Sequence, residues 1–410
     1  MSMVFERTIE SLANEIATTF RAMVVCGPRQ VGKTWLLRKL TSQLGGYGQV
    51  SFDNDSLCAQ AKEDPLLFLQ VHPSPLYLDE IQRVPELFPA LKEHLDGNVA
   101  RGQYLMTGSQ QFKMMKNARE SLAGRVGVLR LQGLSKAETE GRVAPCPFVP
   151  SLNPERWRNA SNWGIRDVYA AIVRGGYPEC HSIPSLRVRH YFASYIDTYI
   201  ERDIREMVDI TNIGTFRTFM RVCAARTGQL LNYADLARDV GISTPTARTW
   251  LSMLETSGLV YLLHPYYNNL IKRAVKTPKL YFTDTGLCAH LLGITSAEAA
   301  IDSPLSGGLL ETYVLMDILK SHWYAGSDAQ FWFYRDGDQR EVDLVLDYEG
   351  RLHPIEVKRA ASIRPGDVRA GFAAFHAAVG NRAATGSVVL IGDSFGALNG
   401  ETALIPVGAL

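Results

Sequence analysis

The stretch AMVVCGPRQVGKTWLLRKL, residues 22–40, constrains this chain more than any other. Residues 22–26 form an apolar run suited to a buried strand. GPRQVGKT follows, Gly27 to Thr34, and then a helical pattern begins. Strand, glycine-rich loop and helix in that order give the GxxxxGK[ST] pattern a mechanism. Backbone N–H groups of the loop can wrap phosphates, and the helix N-terminus favours their negative charge. The expected nucleotide-binding residues are therefore Gly27, Pro28, Arg29, Gln30, Val31, Gly32, Lys33 and Thr34. Lys33 reaches the β- and γ-phosphates in this reading, and Thr34 ligates Mg²⁺.

A second element supports the first. SPLYLDEIQRVPEL, residues 74–87, is an apolar strand that ends in Asp79-Glu80. A nucleotide site needs one carboxylate to hold Mg²⁺ through water and another to orient or deprotonate the attacking water. Asp79 suits the first role and Glu80 the second. Without a P-loop upstream the pair would read as a solvated strand end. A third strand, QYLMTGSQQ at 103–111, turns polar where Thr107 or Ser109 could sense the γ-phosphate. RVGVLRLQGLS reads as a fourth strand, and Ser135 and Glu138 beyond it have capping-box spacing. Strands alternating with helices predict a parallel sheet covered on both faces.

This order resembles an AAA+ ATPase module. SLAGR, residues 121–125, is similar to a segment of one prokaryotic AAA+ family, of AAA_14 type. GGYPE, within 168–179, and YIERDI, within 191–210, resemble the passage in that family from the ATPase module to a C-terminal region. The resemblance implies ATP and Mg²⁺ as cofactors and a homo-oligomer, ring or spiral. It makes Arg125 the candidate arginine finger, acting on a neighbouring subunit's nucleotide. The alternative is that Arg125 or Arg119 pairs with surface carboxylates. The tyrosines and isoleucines at helical spacing in 191–210 read as a packing face.

Residues 229–263 read QLLNYADLARDVGISTPTARTWLSMLETSGLVYLL. One helix, a turn at Gly241, a second helix capped by Ser243 or Thr244, and then β-rich sequence predict a winged helix-turn-helix. Thr244, Thr246, Arg248 and Thr249 suit phosphate or base contacts. Lys272, Arg273, Lys276 and Lys279 follow within 266–282 with no acid among them, as in a basic wing. The formal net charge is only +1, so DNA binding must come from such local patches. Little charge on the second helix equally suits contact with protein.

Near the C-terminus LHPIEVKRA, residues 352–360, sets Glu356 and Lys358 two apart inside an apolar run, so both share one strand face. WFYRDGDQREVDLVLDYEG precedes it, at 332–350. A hairpin turning at Glu349-Gly350 sets Asp343 opposite Glu356, with Asp343 facing away from Val342 and Leu344. Upstream, SGGLLETYVLMDILKS opens a helix that carries Glu311. A carboxylate, a following E-x-K strand and an acidic helix together resemble the PD-(D/E)XK nuclease superfamily. The resemblance implies Asp343, Glu356 and Glu311 as ligands of Mg²⁺ or Mn²⁺, with Lys358 positioning water or stabilising the transition state. A structural ion pair on an inert nuclease-like domain is the alternative.

The expected fold class is α/β: a P-loop AAA+ parallel-sheet ATPase domain, then a winged helix and an α/β restriction-endonuclease-like domain. The expected division is 1–145 ATPase core, 146–210 helical lid and connector, 211–295 winged helix, and 296–410 nuclease-like domain. The proline-rich stretch at 144–154 is the expected linker. Six scattered cysteines without a CxxC pair, and no apolar run long enough to span a bilayer, suit a reduced cytoplasm with no membrane contact. The expected activity is ATP hydrolysis that controls DNA engagement, with metal-dependent cleavage as a candidate second activity. A nucleotide-gated binding module and a remodeller of protein partners are the competing readings.

Overall fold

The computed structural model describes residues 5–97, 99–108, 122–144, 146–158, 160–183, 186–200, 213–266, 277–392 and 395–410. Its first sheet holds β1 (Ala22–Cys26), β2 (Gly48–Ser51), β3 (Leu76–Asp79), β4 (Tyr104–Thr107) and β5 (Val126–Arg130). The strands are parallel, in the order β2-β3-β4-β1-β5. β1 is buried along its whole length because both faces are covered. Met23 and Val25 pack with Leu36 and Leu37 of the helix Lys33–Leu44. Ala22, Val24 and Cys26 pack the other way, against Phe88 and Leu91 of the helix Leu87–Gly97. With β4 and β3 next to β1, the C-terminal ends of the three strands meet along one edge of the sheet.

The middle of the chain follows the expected helix–turn–helix order. Helix Tyr233–Val240 is capped by Asn232 and ends at Gly241, whose φ of 76° is the left-handed conformation that glycine adopts without strain. Helix Thr244–Thr256 is capped by Ser243, which accepts the Thr246 N–H at 3.2 Å. β7 (Val260–Leu263) and β8 (Lys279–Phe282) then pair antiparallel, with β6 (Gln229–Leu230) on the other side of β8. The basic stretch 267–276 lies outside the described residues.

The third sheet holds β9 (Gln330–Arg335), β10 (Glu341–Tyr348), β11 (Arg351–Lys358), β12 (Gly386–Leu390), β13 (Gly396–Asn399) and β14 (Thr402–Pro406), in the order β13-β14-β12-β11-β10-β9. β10 and β11 form the expected hairpin. Pairing runs from Tyr348↔Arg351 to Leu344↔Ile355, which is the register inferred from the sequence. Glu349 at φ 51° and Gly350 at φ 74° make the tight turn. The long helix Ser306–Ala325 lies against β11 on one face, and the helix Gly366–Val379 against β10 and β11.

Three expectations need correcting. Within the stretch expected as a linker, Phe148 is strapped to the long helix: its N–H donates to Ser321 Oγ at 3.0 Å, and its carbonyl lies 2.7 Å from His322 Nε2. A bulge between Val342 and Val345 breaks the alternation of β10, so Val342 and Val345 share the face packed on Phe372 and Phe375. The simple rule placing Asp343 opposite both its neighbours fails there. The helix expected over 191–210 is regular through Val188–Tyr195 and widens into a π turn at Ile196–Ile200, while 201–210 lie outside the described residues. One apolar core runs through the three sheets, from Ile9 and Leu36 through Trp250 and Leu315 to Ile405. Among the described residues, no helix is long and apolar enough to cross a membrane.

Candidate functional site

The loop Gly27–Thr34 joins β1 to its helix through three residues with positive φ: Gly27 at 147°, Gln30 at 61° and Gly32 at 98°. Gly27 is obligatory, since a Cβ there would stand 1.9 Å from the Leu131 carbonyl oxygen. Lys33 begins the helix, and its buried ammonium donates to the carbonyls of Gly27 at 2.9 Å and Pro28 at 2.7 Å. Thr34 Oγ1 donates to Asp79 Oδ1 at 3.4 Å across the sheet edge. Thr107, at the tip of β4 between them, donates to the same oxygen. Of the two γ-phosphate sensors weighed on sequence, Thr107 therefore lies in the site, while Ser109 falls outside the described residues.

Glu80 follows Asp79 in left-handed backbone, φ 58° and ψ 39°. This is rare for a residue other than glycine, and it turns the carboxylate out of the strand's alternation. Gln82 Nε2 donates to Glu80 Oε2. The donor set suits a nucleotide with Mg²⁺: a hydroxyl and a carboxylate already adjacent, an ammonium in the loop, and a cradle that admits no Cβ.

Three side chains that sequence reasoning missed grip the loop from outside. Arg7 is buried; it donates to the Val31 carbonyl at 3.0 Å and the Gln132 carbonyl at 2.9 Å, and sits 3.2 Å from Glu138. It also reaches Tyr324 Oη, 3.3 Å away near the end of the long helix. Tyr191 donates to Gln30 Oε1 at 2.7 Å, and Tyr195 to the Arg29 carbonyl at 3.4 Å. The expected packing face thus packs and also holds the loop. GGYPE adjoins this contact through Tyr177, which donates to Tyr195 Oη at 3.0 Å, while Gly175 packs so closely that a Cβ there would stand 2.5 Å from Asp284 Oδ1. Arg125, the candidate finger, precedes β5 at the opposite end of the sheet from the loop and forms a two-pronged ion pair with Asp96. It does not serve its own chain's phosphate loop.

The C-terminal candidates do come together. The Asp343 carboxylate accepts the Val357 N–H at 3.0 Å and lies close enough to Glu356 to perturb it, and Glu356 lies 2.9 Å from Lys358 Nζ. Burial and the Asp343 carboxylate push Glu356 up to about 8, against the pull of Lys358. Burial and Asp343 likewise raise Glu311 to about 7, against Lys279 and Tyr281. Two further residues join that sequence reasoning did not place there. Lys279 of β8 lies 3.1 Å from Glu311, 2.5 Å from Glu341 and 3.8 Å from Asp343. Tyr281 donates to Glu311. Burial disfavours charge on Lys279, but Tyr281 and the three carboxylates outweigh it and keep the amine protonated. A divalent ion does not fit this arrangement, because an ammonium already stands among the carboxylates. Among the described residues, no three His, Cys, Asp or Glu side chains are placed to hold a metal. Of the expected ligand set, Glu311 and Asp343 meet around the Lys279 ammonium and Glu356 pairs with Lys358 beside them, so each carboxylate already has a cation for a neighbour.

Residues 19–140 match the family model of an AAA domain. Residues 165–298 and 306–410 match two domains of unknown function, DUF8612 and DUF4143. The chain is 30% identical over 341 residues to the uncharacterized proteins Rv2008c of Mycobacterium tuberculosis and Mb2031c of Mycobacterium bovis, covering 83% of this chain and 70% of each relative. A solved structure, the Walker-type ATPase PABY2304 of Pyrococcus abyssi, aligns over 70% of this chain and 96% of its own at 14% identity, with a TM-score of 0.42. This chain belongs to the family of the two mycobacterial proteins, and its first unit is a P-loop AAA-type module.

Proposed function

We propose that this chain hydrolyses ATP and uses its nucleotide state to control engagement of DNA. The observation that carries the ATPase reading is the convergence of Lys33, Thr34, Asp79 and Thr107 at adjoining strand ends, with Glu80 turned out beside them. Gly27 to Gly32 wrap the phosphates with backbone N–H groups, and Lys33 exchanges its loop carbonyls for phosphate oxygens. Thr34 and Asp79 hold Mg²⁺, which supplies charge neutralisation at the β- and γ-phosphates. Glu80 orients the attacking water. Turnover of ATP to phosphate by the full chain tests this reading, and its absence at any Mg²⁺ concentration would defeat it.

The DNA reading rests on the middle unit, read as a winged helix. Helix Thr244–Thr256 exposes Arg248 and Thr249 near its start, and Arg248 stacks on Tyr233 at 4.1 Å. Such a start suits phosphate contacts more than base readout. Fluorescence anisotropy with labelled duplex, with and without ATP, should show binding that weakens steeply with salt. Binding insensitive to salt, or none, would favour a protein partner instead.

We read the C-terminal unit as nuclease-like in design and inert as folded. The hairpin register, which sets Asp343 on the strand beside Glu356 and has it accept the Val357 N–H, supports the design, and Lys279 among the carboxylates supports the inertness. Cleavage of labelled single- and double-stranded DNA with Mg²⁺ or Mn²⁺, beside Glu356→Ala, is the direct check. Cleavage lost in the variant would make the domain a live nuclease.

A further inference from the structure

The carboxylate cluster draws its positive charge from another unit of the chain. Glu341 and Asp343 lie on β10 and Glu311 on the long helix, whereas Lys279 begins β8 of the middle sheet. A lysine is rarely buried this deeply unless it is paired. Lys279 is 3% exposed, with its ammonium among three carboxylates and 5.6 Å from the Phe333 ring. Its backbone cannot shift alone. Lys279 pairs with Leu230 of β6 and with Leu263 of β7, so its strand is held on both sides. Tyr281, two residues on, reaches the same Glu311 and gives β8 a second hold on the cluster.

A divalent ion would need oxygen ligands roughly 2.0–2.6 Å away. It would have to take them from an ammonium that stands at 2.5 Å from Glu341 and 3.1 Å from Glu311. Two cations within one such pocket repel strongly, because little water is there to screen them. One must leave for the other to enter, and Lys279 leaves only if its side chain swings out or β8 withdraws.

We propose that Lys279 is the resident cation of this cluster, standing where a divalent ion would bind and pinning the middle sheet to the C-terminal sheet. The cluster is thus closed to metal as folded, and a movement of the middle unit would open it. The proposal rests on the assembled carboxylates and not on the nucleotide site, so a failure of the ATPase reading leaves it standing.

The test is titration of the nucleotide-free full chain with Mn²⁺, with free ion read by its EPR signal. The wild type should show no saturable binding that depends on Asp343. Lys279→Met keeps the stem and removes the charge; it should gain one site, with Mn²⁺ affinity up about ten-fold or more. Adding Asp343→Asn should abolish that gain, and Lys279→Arg should remain closed. Should Lys279→Met not fold, Lys279→Met with Glu341→Gln removes one charge of each sign and is titrated in its place. Wild-type binding lost on Asp343→Asn would overturn the proposal, as would a neutral Lys279 variant with no gain.

Discussion

The guanidinium of Arg7 donates to the carbonyl of Val31 at 3.0 Å, inside the phosphate loop, and the same group touches Tyr324 on the long helix. One buried side chain therefore binds the nucleotide loop to the helix that carries Glu311, thirteen residues back along it. Its counter-charge, Glu138, has no exposure at all. Removing one member of a buried ion pair strands the other, at a cost of about 3–5 kcal/mol. Arg7→Met should lower the thermal midpoint markedly, and Arg7→Met with Glu138→Gln should recover part of the loss. Equal midpoints for wild type and Arg7→Met would show that the pair is not holding the units together.

Lys33 and Glu80 should separate binding from chemistry. Lys33→Ala removes the ammonium that meets the phosphates, and should cut ATP turnover by about 10²-fold or more. Glu80→Gln keeps the shape and the Gln82 contact but loses the base, so it should bind ATP normally and turn it over at least ~10²-fold more slowly. Nucleotide binding by a fluorescent ATP analogue and phosphate release distinguish the two. Near-normal hydrolysis by Lys33→Ala would sink the site.

Arg125 and Asp96 form a surface pair at the strand ends remote from the loop. A finger working on a neighbouring subunit predicts that Arg125→Ala lowers hydrolysis while nucleotide binding stays intact. It predicts no such loss for Asp96→Ala, which frees the guanidinium. Matching small effects of both changes would reduce Arg125 to an ion-pair partner.

The grouping of the candidate nucleotide-site residues was legible because its parts are local. Gly27, Lys33 and Thr34 lie within one strand–loop–helix, and Asp79 announces itself by ending an apolar strand. The β10–β11 register was legible for the same reason, since a tight turn and a period of two fix every pair beyond it. Arg7, Tyr191 and Lys279 were not legible. Each joins its partners across a long stretch of chain: Arg7 reaches Tyr324, Tyr191 reaches Gln30 and Lys279 reaches Glu341. Lys279 also stood in a basic run that reads naturally as a DNA-facing wing. Only packing shows that its ammonium points inward. The bulge after Val342 was not read either, although Val345, in phase with Glu341, Asp343 and Asp347, breaks the alternation of EVDLVLDY.

The two raised carboxyls give the cluster a pH signature whose sign can be worked out. Glu356 is pushed up to about 8 and Glu311 to about 7, each by burial first and Asp343 second. In the unfolded chain a glutamic acid titrates near ~4.3. Between those values the folded state holds more protons than the unfolded state, so stability falls as pH rises. Buried His181, His322 and His353 are lowered instead, chiefly by burial, and contribute the opposite slope at the acid end. Above pH 7 those histidines are mostly neutral both folded and unfolded, so their opposing slope fades as the pH rises and the carboxyls prevail. The melting temperature should therefore drop between pH 7 and 8, with a slope of at most about 1.4 kcal/mol per pH unit per carboxyl. Glu356→Gln cannot ionise and should flatten that drop. Parallel melting curves for wild type and variant across pH 7 to 8 would mean that Glu356 is already ionised in the folded chain, with Lys358 holding it as a carboxylate.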